Sequence, residues 1–355
     1  MKILITGGAG FAGAHAVEHF LKHTDWDIQI WDKMTYAASG LDRVRDIGAF
    51  DEKRVRFFST DFTRPISVGM IQECKDVNYI LHMGAETHVD NSITDPMPFV
   101  YSNVVGTANM LNFGRECNNL KHFILMSTDE VYGPAAPLDG LGCESGYNLE
   151  LQHKYKEWDR YNCTNPYSAT KASAEQLTLA FMNTYGLPGF IVNCMNIFGE
   201  RQHPEKFIPI CIRKILNGKT ITIHGTKDKK KSGSRFYIHA RNVAAAIHWL
   251  LDRAYQRDKY NIIGEQELTN LELAQKIANI MGKKLKYKIV DFHSNRPGHD
   301  LRYGLDGWKL KDMGYQIPVS IDESLKRTVE WTLKNPKWLY MGEYINGGYK
   351  KRWNV

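Results

Sequence analysis

Long apolar runs are missing from this chain of 355 residues: although 43% of them are hydrophobic, no stretch is long enough to cross a bilayer. That excludes a helical membrane span and still leaves enough apolar side chain for a full core, in one large domain or two closely joined ones. Paired cysteines are missing as well. Cys74, Cys117, Cys143, Cys163, Cys194 and Cys211 are scattered, with no Cys-x-x-Cys and no His-rich cluster, so neither a disulfide framework nor a metal site is expected. No signal-peptide layout opens the chain, since Met1 to Gly8 reads as a buried strand running into a turn; reduced thiols and this opening set the cytoplasm as the expected location. Basic arrays are missing despite the net charge of +7. Outside Lys227–Lys231 and Lys350-Lys351-Arg352, basic and acidic residues are interspersed, which speaks against nucleic acid as a partner. The residual positive field helps to collect a small anionic substrate instead. No internal repeat is present.

What is present is alternation. To about residue 190, short apolar strands at Lys2–Thr6, Ile28–Asp32, Val55–Ser59, Tyr79–Met83, Phe123–Ser127 and Gly189–Asn193 alternate with amphipathic helical stretches. Serial βαβ units of this kind build a doubly wound, Rossmann-type α/β sheet covered on both faces. After residue 195 the alternation breaks down, and Pro, Gly and Lys punctuate shorter elements, as in a smaller α/β C-terminal lobe. The expected division is 1–195, with 236–262 returning to it, against 196–235 and 263–355. Two helical stretches, Asp95–Arg115 and Tyr167–Tyr185, carry apolar residues on more than one face and need a second partner. A homodimer joined by these helices as a four-helix bundle is the expectation.

The first strand runs into Thr6-Gly7-Gly8-Ala9-Gly10-Phe11-Ala12-Gly13 and then a helical stretch. Glycines 8, 10 and 13 match GxGxxG, and glycines 7, 10 and 13 match the GxxGxxG spacing of short-chain dehydrogenases. Side chains here would keep a pyrophosphate from the helix N-terminus, whose free N–H groups and positive dipole end bind it. The second strand ends at Asp32, about 20 residues past the motif, where a carboxylate accepts the ribose hydroxyls and repels a 2′-phosphate. The cofactor expected is NAD. Asp61-Phe62, ending the third strand, is placed to meet the adenine.

Asn165-Pro166-Tyr167-Ser168-Ala169-Thr170-Lys171 sets Tyr167 and Lys171 four apart at a helix start, on one face. An ammonium beside a phenol favours the phenolate, so Tyr167 can take or return a hydroxyl proton during hydride transfer. The fifth strand ends in Ser127-Thr128-Asp129-Glu130, at the carboxyl edge of the sheet where such proteins bind ligands. Two adjacent carboxyls in a closed site repel if both ionise, so such a pair divides into a neutral acid and a charged base.

With these motifs the sequence resembles the dTDP-glucose 4,6-dehydratase family of extended short-chain dehydrogenases. The likeness spans nearly the whole chain, through TGGAGFAG, DKMTYAAS, HMGAETHVDNSI, STDEVYG, NPYSATKASAE, PEKFIP, SRFYIHARNVAAA, RPGHDLRY and TVEWTLKN. It implies an NAD-dependent hydro-lyase that converts an NDP-glucose to the NDP-4-keto-6-deoxyhexose, as in deoxysugar biosynthesis. By the same resemblance Tyr167, with Lys171, removes the C4 hydroxyl proton, Thr128 holds that oxygen, Glu130 abstracts the C5 proton, and neutral Asp129 protonates the departing C6 hydroxyl. It implies NAD contacts from Gly7, Gly8, Gly10, Phe11, Ala12, Gly13, Asp32, Lys33, Thr35, Asp61, Phe62, Met83, Ala85 and Ser102. Substrate contacts follow at Thr87, Asn196, Lys206, Arg235, Arg296 and His299.

The sequence also departs from that pattern. The family's Asn-Asn pair reads Asn196-Ile197, the stretch at 227–232 is longer than usual, and Arg241-Asn242 stand where two acidic residues are common. A nucleotide-sugar 4-epimerase shares NAD, Tyr167 and Lys171 but has no use for Asp129 and Glu130. A dinucleotide-sensing module without turnover usually loses the Tyr or the Lys, and here both remain.

Overall fold

The computed structural model describes residues 1–38, 40–135, 153–291 and 302–340. A seven-stranded sheet contains β1 (Lys2–Thr6), β2 (Asp27–Asp32), β3 (Val55–Ser59), β4 (Tyr79–His82), β5 (His122–Thr128), β6 (Gly189–Cys194) and the strand Asp258–Ile262. Every neighbouring pair is parallel, and the spatial order is Asp258–Ile262, β6, β5, β4, β1, β2, β3. Strand order therefore reverses between β1 and β4, and open α/β sheets bind ligands in the crevice at the carboxyl ends beside such a reversal. The six predicted strands are all found, each end within one residue of its expected place. This is the expected Rossmann-type α/β fold.

The inner strands β1, β4, β5 and β6 are mostly apolar because both faces of the sheet are covered there, whereas the edge strand β3 is only partly buried and the opposite edge strand carries Lys259 and Asn261. Ile3, Ile5, Ile28, Ile30, Ile124 and Met126 enter one core, and Leu4, Trp31, Ile80, Phe123 and Leu125 the opposite one, following the two-residue period of a pleated strand. Helix α1 (Phe11–His23) and the helix Ala240–Leu250 pack together over the first face. The helices Gly106–Arg115 and Pro166–Tyr185 cover the second.

A separate core forms around Ile212, Ile221, Ile223, Leu273, Ile277, Leu325 and Val329. Its helices are Phe207–Leu216, Asn270–Ile280 and Ile321–Lys334, and its strands Ile221–Gly225 and Tyr287–Asp291 pair in parallel. Amphipathic helices with one apolar stripe explain this body. The chain leaves the large sheet after β6 and rejoins it at Asp258–Ile262.

The stretch expected as one helix from Asp95 to Arg115 is divided. A turn at Met97–Phe99 passes into a π-helical segment, Val100–Val105, before the regular helix Gly106–Arg115. The extra residue per turn buries Ser102 and Asn103, and such bulges concentrate at functional sites. No helix among the described residues is long and apolar enough to cross a membrane.

Candidate active site

A cleft of about 400 Å³ opens at the carboxyl ends of β1, β4 and β5. Its first wall is the turn between β1 and α1. Gly7 takes a left-handed φ of +67°, and a Cβ on Gly13 would lie 2.1 Å from the Gly7 carbonyl oxygen, so both positions require glycine. Gly10 begins α1 with no side-chain cap, which leaves the N–H groups of the first turn directed at the cleft. Asp32 ends β2 and is itself fixed: its carboxylate accepts from Ala9 N at 3.0 Å and Met34 N at 2.8 Å. Burial raises its pKa above the ordinary range, with those N–H groups opposing.

The second wall is chemical. Thr128 closes β5, and Asp129 and Glu130 follow in the 3₁₀ turn Asp129–Tyr132. Asp129 is 5% exposed, its Oδ1 accepts from Thr128 Oγ1 at 3.0 Å, and its Oδ2 is buried without a hydrogen-bond partner among the described residues. Burial pushes this carboxyl up to about 6, against the opposing charge of Arg235 and the Thr128 hydrogen bond. The Glu130 Oε2 instead accepts from Asn165 Nδ2 at 3.1 Å and Tyr303 OH at 3.4 Å. Adjacent carboxyls thus have opposite surroundings, one dry and one supplied with donors, the arrangement that separates an acid from a base.

Tyr167 and Lys171 reach the cleft from the helix Pro166–Tyr185. Asn165 caps it, with Pro166 at its first position and Gly186 ending it at a φ of +67°. Lys171 Nζ donates to the Met126 carbonyl at 2.7 Å, and burial pushes its pKa down to about 8, opposed by Glu175. The Tyr167 phenol is held above its ordinary pKa by burial and by the Glu130 charge, with Thr128 opposing. The expectation that a neighbouring ammonium favours the phenolate is therefore not met by the chain alone.

Beneath these groups lies a buried ion pair, Lys259 Nζ to Glu175 Oε2 at 2.9 Å. Glu175 also accepts from Ser127 Oγ and Tyr161 OH, each at 2.5 Å, and from Asn193 Nδ2 at 2.7 Å. It ties β5, β6 and the Asp258–Ile262 strand to the helix of Tyr167 and Lys171.

Of the residues singled out in the sequence, Gly7, Gly10, Phe11, Ala12, Gly13, Asp32, Lys33, Thr35, Phe62, Met83, Ala85 and Ser102 line the cleft. So do Thr87, Thr128, Asp129, Glu130, Tyr167, Lys171, Asn196 and Lys206. Three do not. Gly8 faces the Ile30 side chain, and Asp61 turns to Lys33 Nζ at 3.5 Å and caps Thr63. Arg235 lies over the Tyr303 ring, 4.5 Å from its centroid. Arg296 and His299 fall outside the described residues. Sequence reasoning missed Asn165, Glu175 and Tyr303 as parts of the site. Glu175 was within reach, since it repeats the spacing of four that joins Tyr167 to Lys171.

A model of the NAD dependent epimerase/dehydratase family matches residues 3–263. The dTDP-glucose 4,6-dehydratase of Salmonella typhimurium is 35% identical, over 96% of this chain and 94% of that protein. Among solved structures, the DesIV dTDP-glucose 4,6-dehydratase of Streptomyces venezuelae, with NAD and TYD bound, superimposes with a TM-score of 0.82 at 32% identity, covering 95% of this chain and 98% of that one. The dTDP-glucose 4,6-dehydratase of Bacillus anthracis, in complex with NAD, gives 0.79 at 29% identity and the same coverage. With the glycine turn, the Tyr-Lys helix and the Thr-Asp-Glu strand end gathered on one cleft, and with those relatives matching along nearly its whole length, the chain belongs to the NAD dependent epimerase/dehydratase family.

Proposed function

We propose that this chain is a nucleotide-sugar 4,6-dehydratase that takes an NDP-glucose, dTDP-glucose foremost, to the NDP-4-keto-6-deoxyhexose and keeps NAD as a resident cofactor. The single observation that carries the reading is Asp129, a carboxyl with a pKa of about 6 in a dry position, next in the chain to a Glu130 held by hydrogen-bond donors. Oxidation at C4 alone needs neither group. Elimination across C5 and C6 needs both.

NAD fits the residues present. The Gly7–Gly13 turn and the uncapped start of α1 suit its pyrophosphate, and Asp32 suits the adenosine ribose. Lys33, Thr35, Phe62, Met83, Ala85 and Ser102 line the rest of its course. When bound, NAD supplies a hydride acceptor and later donor and, in its oxidised form, a positive charge that favours the phenolate. Tyr167 takes the C4 hydroxyl proton as C4 becomes a ketone, with Thr128 holding that oxygen. The ketone acidifies C5, Glu130 removes the C5 proton, and Asp129 gives its proton to the C6 hydroxyl, which leaves as water. Glu130 returns a proton to C5 as C6 is reduced.

Residues 1–195 with 236–262 hold the cofactor in this reading, and 196–235 with 263–355 hold the nucleotide sugar. Thr87, Asn196 and Lys206 reach the substrate from the cleft wall. Arginine suits a diphosphate because its planar fork donates two charge-assisted bonds, the role assigned to Arg235 and Arg296, and His299 is assigned to the same substrate. A homodimer through the helices near 95–115 and 167–185 is supported by Met97, Tyr101 and Val105, exposed at spacings of four on one side. The described cysteines are free thiols, in keeping with the cytoplasm.

Mass spectrometry of products from a panel of nucleotide hexoses tests the reading. Loss of one water from dTDP-glucose supports it, and a product of unchanged mass overturns it in favour of epimerisation.

A further inference from the structure

We infer that Asn165 is a positioning residue for Glu130: one side of its amide caps the helix of Tyr167 and Lys171 and the other orients the Glu130 carboxylate. The inference rests on the dehydratase reading above, in which Glu130 is the C5 base.

Asn165 is 5% exposed. Its Oδ1 accepts the Ser168 N–H at 2.9 Å, and its own N–H donates to Ser168 Oγ at 3.3 Å, closing a reciprocal capping box. The helix end requires an acceptor, so Oδ1 must face Ser168. The amide then has only its NH₂ left to offer elsewhere. That NH₂ meets Glu130 Oε2 at 3.1 Å, across 35 positions of sequence. Tyr303 OH approaches the same oxygen at 3.4 Å, so two donors from different elements fix the rotation of the carboxylate about its stem. One side chain thereby sets the proton acceptor for C4, through the helix start, and the proton acceptor for C5, through a direct bond.

An amide is needed because the two tasks demand opposite polarity. Ser, Asp and Asn cap helices about equally well. Serine has no NH₂ to donate, and aspartate sets a second carboxylate against Glu130. Other groups bear on the same carboxylate: Asp129 next in the chain, and the phenol of Tyr167 and the thiol of Cys163, which both sense its charge; Arg235 stacks on the Tyr303 that donates to it and acts on Asp129.

The experiment compares full-length, NAD-loaded wild type with Asn165→Ser and Asn165→Asp, using dTDP-glucose as the probe. Both variants keep a capping side chain and are expected to fold, with thermal unfolding as the check. C4 oxidation, read as reduced-cofactor absorbance in a single turnover, stays within about twofold of wild type, because Tyr167 and Lys171 keep their helix. C5 exchange, read as deuterium uptake from solvent, slows about tenfold in Asn165→Ser, the scale of a lost hydrogen bond to a charged group. It slows further in Asn165→Asp. Reduced cofactor therefore lingers, KM holds, and the acid limb of the exchange rate moves to higher pH in the order wild type, Ser, Asp, because a carboxylate that loses a donor or gains a like charge binds its proton more tightly.

Exchange at the wild-type rate and pH in both variants overturns the inference. So does a parallel fall in C4 oxidation, or loss of folding in both, either of which reduces Asn165 to its cap. Absence of C5 exchange in wild type sinks the dehydratase reading itself, and the inference with it.

Discussion

Replacing Lys259 by methionine should destabilise the fold more than almost any other single change outside the apolar core. Glu175 and Lys259 are 0% and 1% exposed in their side chains, with their charged atoms 2.9 Å apart. At that separation and an effective dielectric of about 20, the attraction is about 6 kcal/mol. After Lys259→Met, Ser127, Tyr161 and Asn193 still donate to the carboxylate and offset part of the loss. A net cost of about 3–5 kcal/mol remains, as for other buried pairs broken on one side, out of a total stability of about 5–15 kcal/mol. The double variant Glu175→Gln/Lys259→Met removes the stranded charge and should recover most of that cost.

The assay is urea unfolding of NAD-loaded protein, followed by circular dichroism and tryptophan fluorescence together. A single variant within about 1 kcal/mol of wild type, or a double variant as unstable as the single one, would refute the reasoning.

With Asp129 as the proposed acid, elimination should decline as pH rises through about 6. Because the Arg235 charge lowers that pKa, Arg235→Gln should move the decline to higher pH, and a shift to lower pH in single-turnover profiles counts against the assignment. Gly13→Ala places a methyl 2.1 Å from the Gly7 carbonyl and should leave purified protein free of NAD, as measured by cofactor release on denaturation; a normal NAD content would contradict the cradle. Glu130→Gln should reduce NAD with dTDP-glucose yet lose water at under about one-hundredth of the wild-type rate, whereas Tyr167→Phe should lose cofactor reduction itself; a Tyr167→Phe enzyme forming NADH normally rejects its role. Tyr101→Asp should yield monomers by light scattering, and an unchanged mass would exclude that face as the dimer contact.

Much of the site could be read locally. The strand alternation from Lys2 to Cys194 specified a parallel sheet because strands buried on two faces read as nearly continuous apolar runs rather than as an alternation of apolar and polar residues. The glycines at 7, 10 and 13 and the Tyr167–Lys171 spacing were legible because each encodes a short-range requirement, a turn without Cβ atoms and a shared helix face. Arg235, expected as a substrate contact, lies off the lining of the cleft. Its charge reaches Asp129 through space while its guanidinium stacks on Tyr303, and no pattern within the SRFYIHARN segment distinguishes those outcomes. The π-helical segment at Val100–Val105 was equally hidden, since one residue inserted in a helical run barely disturbs its apolar periodicity.

The amino-acid order by itself determined the strands, the glycine turn after β1 and the identity of the groups proposed to react, because each depends on neighbours a few residues away. Only the tertiary structure decided how those groups behave. The raised pKa values of Asp129 and of the Tyr167 phenol, the Asn165–Glu130 bond and the Lys259–Glu175 pair all arise where distant segments exclude water from one another. Dielectric and hydrogen-bond supply are properties of the packed interior, and they form only once β5, β6 and the Asp258–Ile262 strand lie side by side.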